Sequence, residues 1–257
     1  MRYDPGRDLG WLLLRPWVAI PRLVQVLWSL AGLVLVLLLR GGSNDPAVQQ
    51  GLARRILNTL TGLGPCFIKL GQALSTRPDL VRRDWLEELT RLQDDLPAFP
   101  HATALACIRE ELGAPAEELF EEFPDTPIAA ASLGQVYKAR LQGQHWVAVK
   151  VQRPNLTFIL RRDLVLIRAL GVMTAPLLPL NLGFGLGGII DEFGRSLFEE
   201  IDYGLEAANA ERFSALFAEN DAVYIPKVER MLSSTRVLTT TWIDGAKMRD
   251  SEELRSQ

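Results

Sequence analysis

Hydrophobic and polar positions divide this chain into an almost wholly apolar front segment and a remainder in which apolar residues recur at helical or strand spacing. Leu23 to Leu39 carries no charge and is bounded by Arg22 and Arg40. As a helix rising ~1.5 Å per residue it would reach roughly 25 Å, slightly short of a typical hydrocarbon core. It is a marginal membrane-spanning candidate. Trp11, Trp17 and Trp28, with Arg7, Arg15 and Arg22, fit interfacial anchoring by amphipathic rings and snorkelling cations. Pro16 and Pro21 set off a shorter apolar patch, Trp11 to Leu14. A cleaved signal peptide fits poorly, because the charged lead is long and Leu39-Arg40-Gly41-Gly42 offers no small-residue cleavage site. Arginines balance on the two sides, so orientation stays open. Without residues 1–42 the remainder is expected to be soluble and folded.

Beyond the front segment the pattern predicts helices first. Asp45-Pro46 reads as an N-cap with proline at the first helical position, followed by an apolar stripe of Ala47, Leu52, Ile56, Leu57 and Leu60 that ends at Gly62-Leu63-Gly64. Pro65 opens a second helix, Asp84 is expected to cap a third through Gln93, and Gly113 stops a fourth. Strand signals follow. Pro127 to Leu141 reads as strand, tight small-residue turn at Ala129 to Gly134, and strand. Polar and apolar residues alternate from Gln135 to Leu141, and Gln142-Gly143-Gln144-His145 turns the chain into a β-branched run ending in Lys150. Leu156 to Met173, carrying Arg161 and Arg162, is a further helix, and another is expected near Ile189 to Phe217.

Lys150 brings in the chemistry. A strand with small and β-branched neighbours has no inexpensive way to hold an ammonium, so the lysine needs an anion or an escape to solvent at the strand end. A V-A-x-K strand is the arrangement in which kinase-like folds clamp nucleotide phosphate. The turn before it, where kinases place glycines, is built from Ala129, Ala130, Ala131 and Ser132. Alanine is strained at positive φ, so this turn is expected to be stiff and to offer fewer N–H groups to phosphate.

Four words in order now resemble one family, the UbiB (AarF/ADCK) atypical kinase-like proteins. They are Lys69-Leu70-Gly71-Gln72, the V-A-V-K strand, Glu200-Ile201-Asp202 with Glu206, and Thr241-Trp242-Ile243-Asp244-Gly245. The resemblance implies an α+β fold, a kinase-like small lobe of antiparallel sheet and C-type helix behind a helical extension. It also implies nucleotide contacts at Lys150, Glu206 and Ala129 to Ser132, with Glu206 pairing Lys150. It gives a gating role to Lys69 and Gln72, which share a helix face, and to Glu200 and Asp202. On spacing alone the favoured reading of Lys69 and Gln72 is a solvated polar face. Spacing also puts Glu199, Asp202 and Glu206 on one helix side and Glu200 on another; Glu192, Glu199 and Glu211 read as plain surface. The family's cofactor is ATP or ADP with Mg. Membrane lipid and proteins of prenyl-lipid or quinone biosynthesis are its implied partners.

Two words mislead. Gly183-Phe184-Gly185-Leu186-Gly187-Gly188 fits a dinucleotide fingerprint, but Pro176 and Pro179 rule out the preceding strand, leaving a flexible connection. Asp191-Glu192-Phe193-Gly194 sits ahead of the lobe-joining segment rather than after it, and reads as a helix start. A kinase large lobe, with catalytic aspartate and D-F-G, is absent from the sequence after Gly245, so this chain is not expected to transfer phosphoryl groups alone; a separately encoded large lobe is a candidate partner. Net charge of −3 argues against a nucleic-acid surface, and two cysteines with two histidines give no metal-ligand spacing. Cys66 and Cys107 read as reduced thiols in a non-oxidising, cytoplasmic or plastid-like compartment. The expected organisation is a membrane-proximal segment over 1–43, a helical extension over 44–124, a five-stranded small lobe over 125–248 and a tail over 249–257. Two functions fit: a nucleotide-binding module of prenyl-lipid metabolism at a membrane, or a non-catalytic membrane adaptor that keeps the fold.

Overall fold

The computed structural model describes residues 3–78, 81–90, 97–143, 145–177 and 185–245. Its centre is an antiparallel sheet in the order β1 (Ala129–Ala130), β2 (Gly134–Leu141), β3 (His145–Gln152) and β4 (Val237–Thr241). The β2–β3 register sets Val136 opposite Lys150, and Gly143 makes the hairpin turn at φ +94°, a left-handed conformation that favours glycine. Alternation gives each strand one core face. Val147, Val149 and Val151 of β3 pack with Tyr137, Ala139 and Val237 against helix α6 (His101–Leu112), which ends at Gly113 with φ +80°. Lys150 therefore sits on the other face, partly exposed, and the strand is not buried on both sides. The described residues form four strands where five were expected. Glu122 meets Arg140 only through an isolated bridge, and the following Pro124 and Pro127 cannot donate to a ladder.

The helical part wraps the other side. Helices α1 (Pro5–Leu13), α2 (Pro16–Arg40), α3 (Pro46–Leu63), α4 (Pro65–Ser75) and α5 (Arg83–Thr90) precede α6, with the short α7 (Ala116–Leu119) between α6 and the sheet. Asp45 caps α3 as its sequence indicates, accepting from Ala47 N at 2.9 Å. Helix α5 begins at Arg83, one residue ahead of Asp84, and Gln93 lies outside the described residues. Between β3 and β4 come α8 (Leu156–Thr174), α9 (Leu186–Glu200) and α10 (Tyr203–Leu216). The second core joins Leu156, Leu160 and Leu164 of α8 to Leu197 and Phe198 of α9, Phe67 and Ile68 of α4, and Val26 of α2.

Three expectations change here. The acidic helix is two helices, because Asp202 takes extended backbone (φ −91°, ψ 93°) and caps α10 by accepting from Gly204 N and Leu205 N. Glu199 and Glu206 therefore belong to different helices and share no helix face. Asp191-Glu192-Phe193-Gly194 lies inside α9 rather than at its start, while Leu186 to Gly188, read as flexible connection, form its first turn; Gly183 and Phe184 lie outside the described residues. Gly194 has a packing reason, since a Cβ there would lie 2.9 Å from the Tyr3 ring, whose hydroxyl donates to Asp191 at 3.0 Å.

The front segment is built into the body rather than hung from it. Arg22 of α2 is buried and clasps the fully buried Asp163 of α8, Nε to Oδ1 at 2.9 Å and Nη2 to Oδ2 at 2.6 Å, and also donates to Leu63 O at the end of α3. Val26 and Leu33 continue the same stripe inward, one helical face at i, i+4 and i+11. Removing 1–42 would strip Tyr3, Leu12 and Val26 from their cores and unpair Asp163 from Arg22, so the expected folded remainder does not follow.

Candidate nucleotide site

Lys150 leaves β3 beneath the alanine turn and meets Glu206 of α10, Nζ lying 2.7 Å from Oε2 and 2.9 Å from Oε1. The capped start of α10 makes this possible: Asp202 fixes the first turn, and Glu206, one turn on, points back at the sheet. The Tyr203 ring lies under the same ammonium, with Nζ 4.5 Å from its centroid. A cavity of about 190 Å³ opens on this group, lined by Lys69, Ala129 to Gly134, Val136, Lys150, Glu200 and Tyr203.

The alanine turn takes its shape without strain. Among the described non-glycine residues only Asn155 has positive φ, so the left-handed conformation invoked against Ala129 to Ala131 is not used. Ala129 and Ala130 pair with Val136 and Gln135 as strand, and Ala131 N donates to Gly134 O at 2.8 Å. Gly134 is needed for a different reason. A Cβ there would lie 2.5 Å from the Tyr203 hydroxyl and 2.6 Å from Val151 O. Arg153, which sequence reasoning passed over, braces the turn: Nε donates to Ala131 O at 3.0 Å and Nη2 to Pro97 O at 2.7 Å, with burial lowering its pKa. Its signal was position, the cation that closes β3 just before Pro154.

Lys69 reaches over the cavity from α4 and pairs with Glu200, the last residue of α9. The pair bridges two elements on either side of the opening. Gln72 lies one turn further along α4 and is not part of the cavity wall; Asp202 acts as the α10 cap. Glu206 faces a second, open recess with Lys150, Ser196, Glu199, Glu200 and Asn209. Among the described residues no group of three His, Cys, Asp or Glu side chains could hold a metal ion. Phosphate oxygens fit the cavity chemically, since it joins an ammonium to a buried hydroxyl whose partner is missing among the described residues.

Residues 91–257 match the model of the ABC1 atypical kinase-like domain. The chain belongs to this family. An uncharacterized protein of Synechocystis sp. is 44% identical over 256 residues, 99% of this chain and 45% of that protein. The chloroplastic protein ACTIVITY OF BC1 COMPLEX KINASE 1 of Arabidopsis thaliana is 45% identical over 212 residues, 82% of this chain and 31% of its own. A Mycobacterium tuberculosis protein solved in complex with erythromycin aligns with a TM-score of 0.50 at 33% identity, covering 70% of this ABC1 chain and 45% of that one. The chain thus spans less than half the length of these relatives. The antiparallel four-stranded sheet with its helices is the α+β fold of a kinase-like small lobe.

Proposed function

We propose that this ABC1 chain is the nucleotide-binding small lobe of an atypical kinase-like protein held at a membrane surface, acting in isoprenoid-quinone or prenyl-lipid metabolism. The observation that carries the reading is the Lys150–Glu206 pair at the mouth of a cavity walled by the alanine turn. An ammonium that donates to both oxygens of one carboxylate keeps its third N–H for a phosphate oxygen. Lys69 and Glu200 act as a latch that must part for a nucleotide to enter, because a cavity of about 190 Å³ is below the usual ~300–1,000 Å³ of small-molecule sites. Mg²⁺ arrives bound to the ATP or ADP phosphates, and phosphoryl transfer falls to a large lobe, on the same or another polypeptide, that supplies the catalytic aspartate and metal ligands.

The membrane part of the reading rests on α2, long and apolar enough to cross a bilayer, with Trp17, Trp28, Leu38 and Leu39 exposed on its outer side. Chloroplastic relatives favour a plastid-type membrane. Quinone or prenyl-lipid enzymes are the partners this reading names. The closed latch favours a second reading, a membrane adaptor that keeps the fold and binds no nucleotide.

Calorimetric titration with MgADP and MgATP separates the two. Wild type is expected to bind, Lys150→Met to lose binding, and Lys69→Ala to bind more tightly because the latch is gone. Absence of binding to wild type and Lys69→Ala alike would leave the adaptor.

A further inference from the structure

Tyr203 opens α10 and is wholly buried, yet its hydroxyl meets no hydrogen-bond partner among the described residues. Buried hydroxyls are nearly always satisfied, and one left unsatisfied destabilises the fold that holds it. Its place is narrowly fixed. A Cβ built on Gly134 would lie 2.5 Å from the hydroxyl oxygen, which puts that oxygen where the alanine turn enters β2. The side chain lines the cavity with Ser132, Gly134 and Lys150. The ring by itself accounts for the contact with the Lys150 ammonium, and phenylalanine would make the same contact without an unsatisfied group. Packing therefore explains the ring and leaves the hydroxyl unexplained. Burial, and after it the Glu206 and Glu200 carboxylates, raises its pKa far above the tyrosine range, so it remains a neutral O–H donor.

We propose that the Tyr203 hydroxyl is a ligand-binding donor of the nucleotide cavity, giving a phosphate oxygen its second anchor beside the Lys150 ammonium. This deepens the nucleotide reading above and rests on it. The bond forms only when the nucleoside di- or triphosphate enters. The ligand-free fold thus carries the unsatisfied group, and the complex does not. A neutral donor suits this place, because a second cation here would contest Glu206 with Lys150.

Tyr203→Phe deletes the hydroxyl and keeps the ring, so stability and binding move in opposite directions if the proposal holds. For the full chain without nucleotide, the thermal midpoint should rise by about 2–4 °C as the unsatisfied group is removed. Titration with MgADP should show affinity falling about tenfold, the ordinary effect of losing a hydrogen bond to a charged group, while adenosine, which has no phosphate, should bind as it does to wild type. Unchanged MgADP affinity would overturn the proposal, as would a parallel loss of adenosine binding or a lowered midpoint, which would give the hydroxyl a structural role. Wild type that binds MgADP, loses it in Lys150→Met and keeps it in Tyr203→Phe defeats the proposal alone. Wild type that binds neither MgADP nor MgATP defeats the nucleotide reading and the proposal with it.

Discussion

Arg22→Met tests whether α2 is a structural member of the lobe or a detachable anchor. Arg22 and Asp163 form a doubly hydrogen-bonded pair with side chains 8% and 0% exposed, and removing one partner of such a pair typically costs about 3–5 kcal/mol because the other charge stays buried. Two local terms adjust that figure. Arg162 Nε still reaches Asp163 Oδ1 at 2.8 Å, which keeps part of the compensation, whereas Leu63 O loses its donor at about 1 kcal/mol. A net loss of about 3 kcal/mol remains, or roughly 6–12 °C in thermal midpoint. Methionine preserves the aliphatic packing near Phe67, so the loss reports the charge rather than a cavity. Urea unfolding of the full chain in mild detergent, read at constant m-value, measures it. The double variant Arg22→Met/Asp163→Leu should recover most of the loss, since replacing both partners with apolar groups is often neutral. A single-variant loss under about 0.5 kcal/mol, the size of an exposed pair, would refute the reasoning and restore a detachable α2.

Acid should expose two other anchors: although burial opposes it, hydrogen bonds from Ser234 and Arg236 lower the Glu111 pKa, and those from Arg168 and Tyr3 lower that of Asp191. A depressed folded pKa means stability present above the ordinary carboxylate range and lost as pH falls through the folded value, so Glu111→Gln and Asp191→Asn should each flatten the stability loss below about pH 4.5; slopes equal to wild type would contradict this. Ala130→Gly should lower stability by about 0.5–1 kcal/mol with ATP and ADP affinities falling equally, because the turn uses no positive φ that glycine could relieve; a selective change for one nucleotide would be the contrary result. Trp28→Glu with Leu38→Glu should lower vesicle partitioning about a hundredfold or more, at about 1.5–3 kcal/mol for each of the two exposed apolar side chains, while salt has little effect; binding that salt abolishes would mean an electrostatic attachment.

Most of the lobe was legible because its signals are local. Alternation over Gln135 to Leu141 and the glycine at position 143 specify a hairpin, and the register that follows puts Lys150 on the cavity side. Gly113 and Asp45 marked helix ends where the structure has them. The break at Asp202 was legible in principle: aspartate is both an exposed helix residue and an N-cap, and only the extended backbone at Asp202 decides which. Tyr203 and Arg153 escaped notice because their roles depend on what lies opposite, the Gly134 backbone and the Ala131 carbonyl, and no spacing along the chain records that.

The same limit explains α2. Leu23 to Leu39 looks like a lipid-facing cylinder because hydropathy averages around the helix, whereas the structure sorts its sides: Arg22, Val26 and Leu33 face protein, and Val24, Trp28, Leu35 and Leu39 face out. A perpendicular span would have to pull that inner stripe from α3, whose Gln49, Arg54, Arg55 and Asn58 make it a poor companion inside hydrocarbon, or else drag α3 along. It would also have to surrender Arg22 from Asp163. Lying along the surface asks for neither, since the exposed side alone meets lipid while the buried side keeps its partners. Arg22, which bounds the apolar stretch and reads as a snorkelling cation, instead points into the protein at Asp163, and at the membrane surface proposed above that pairing would hold the helix flat.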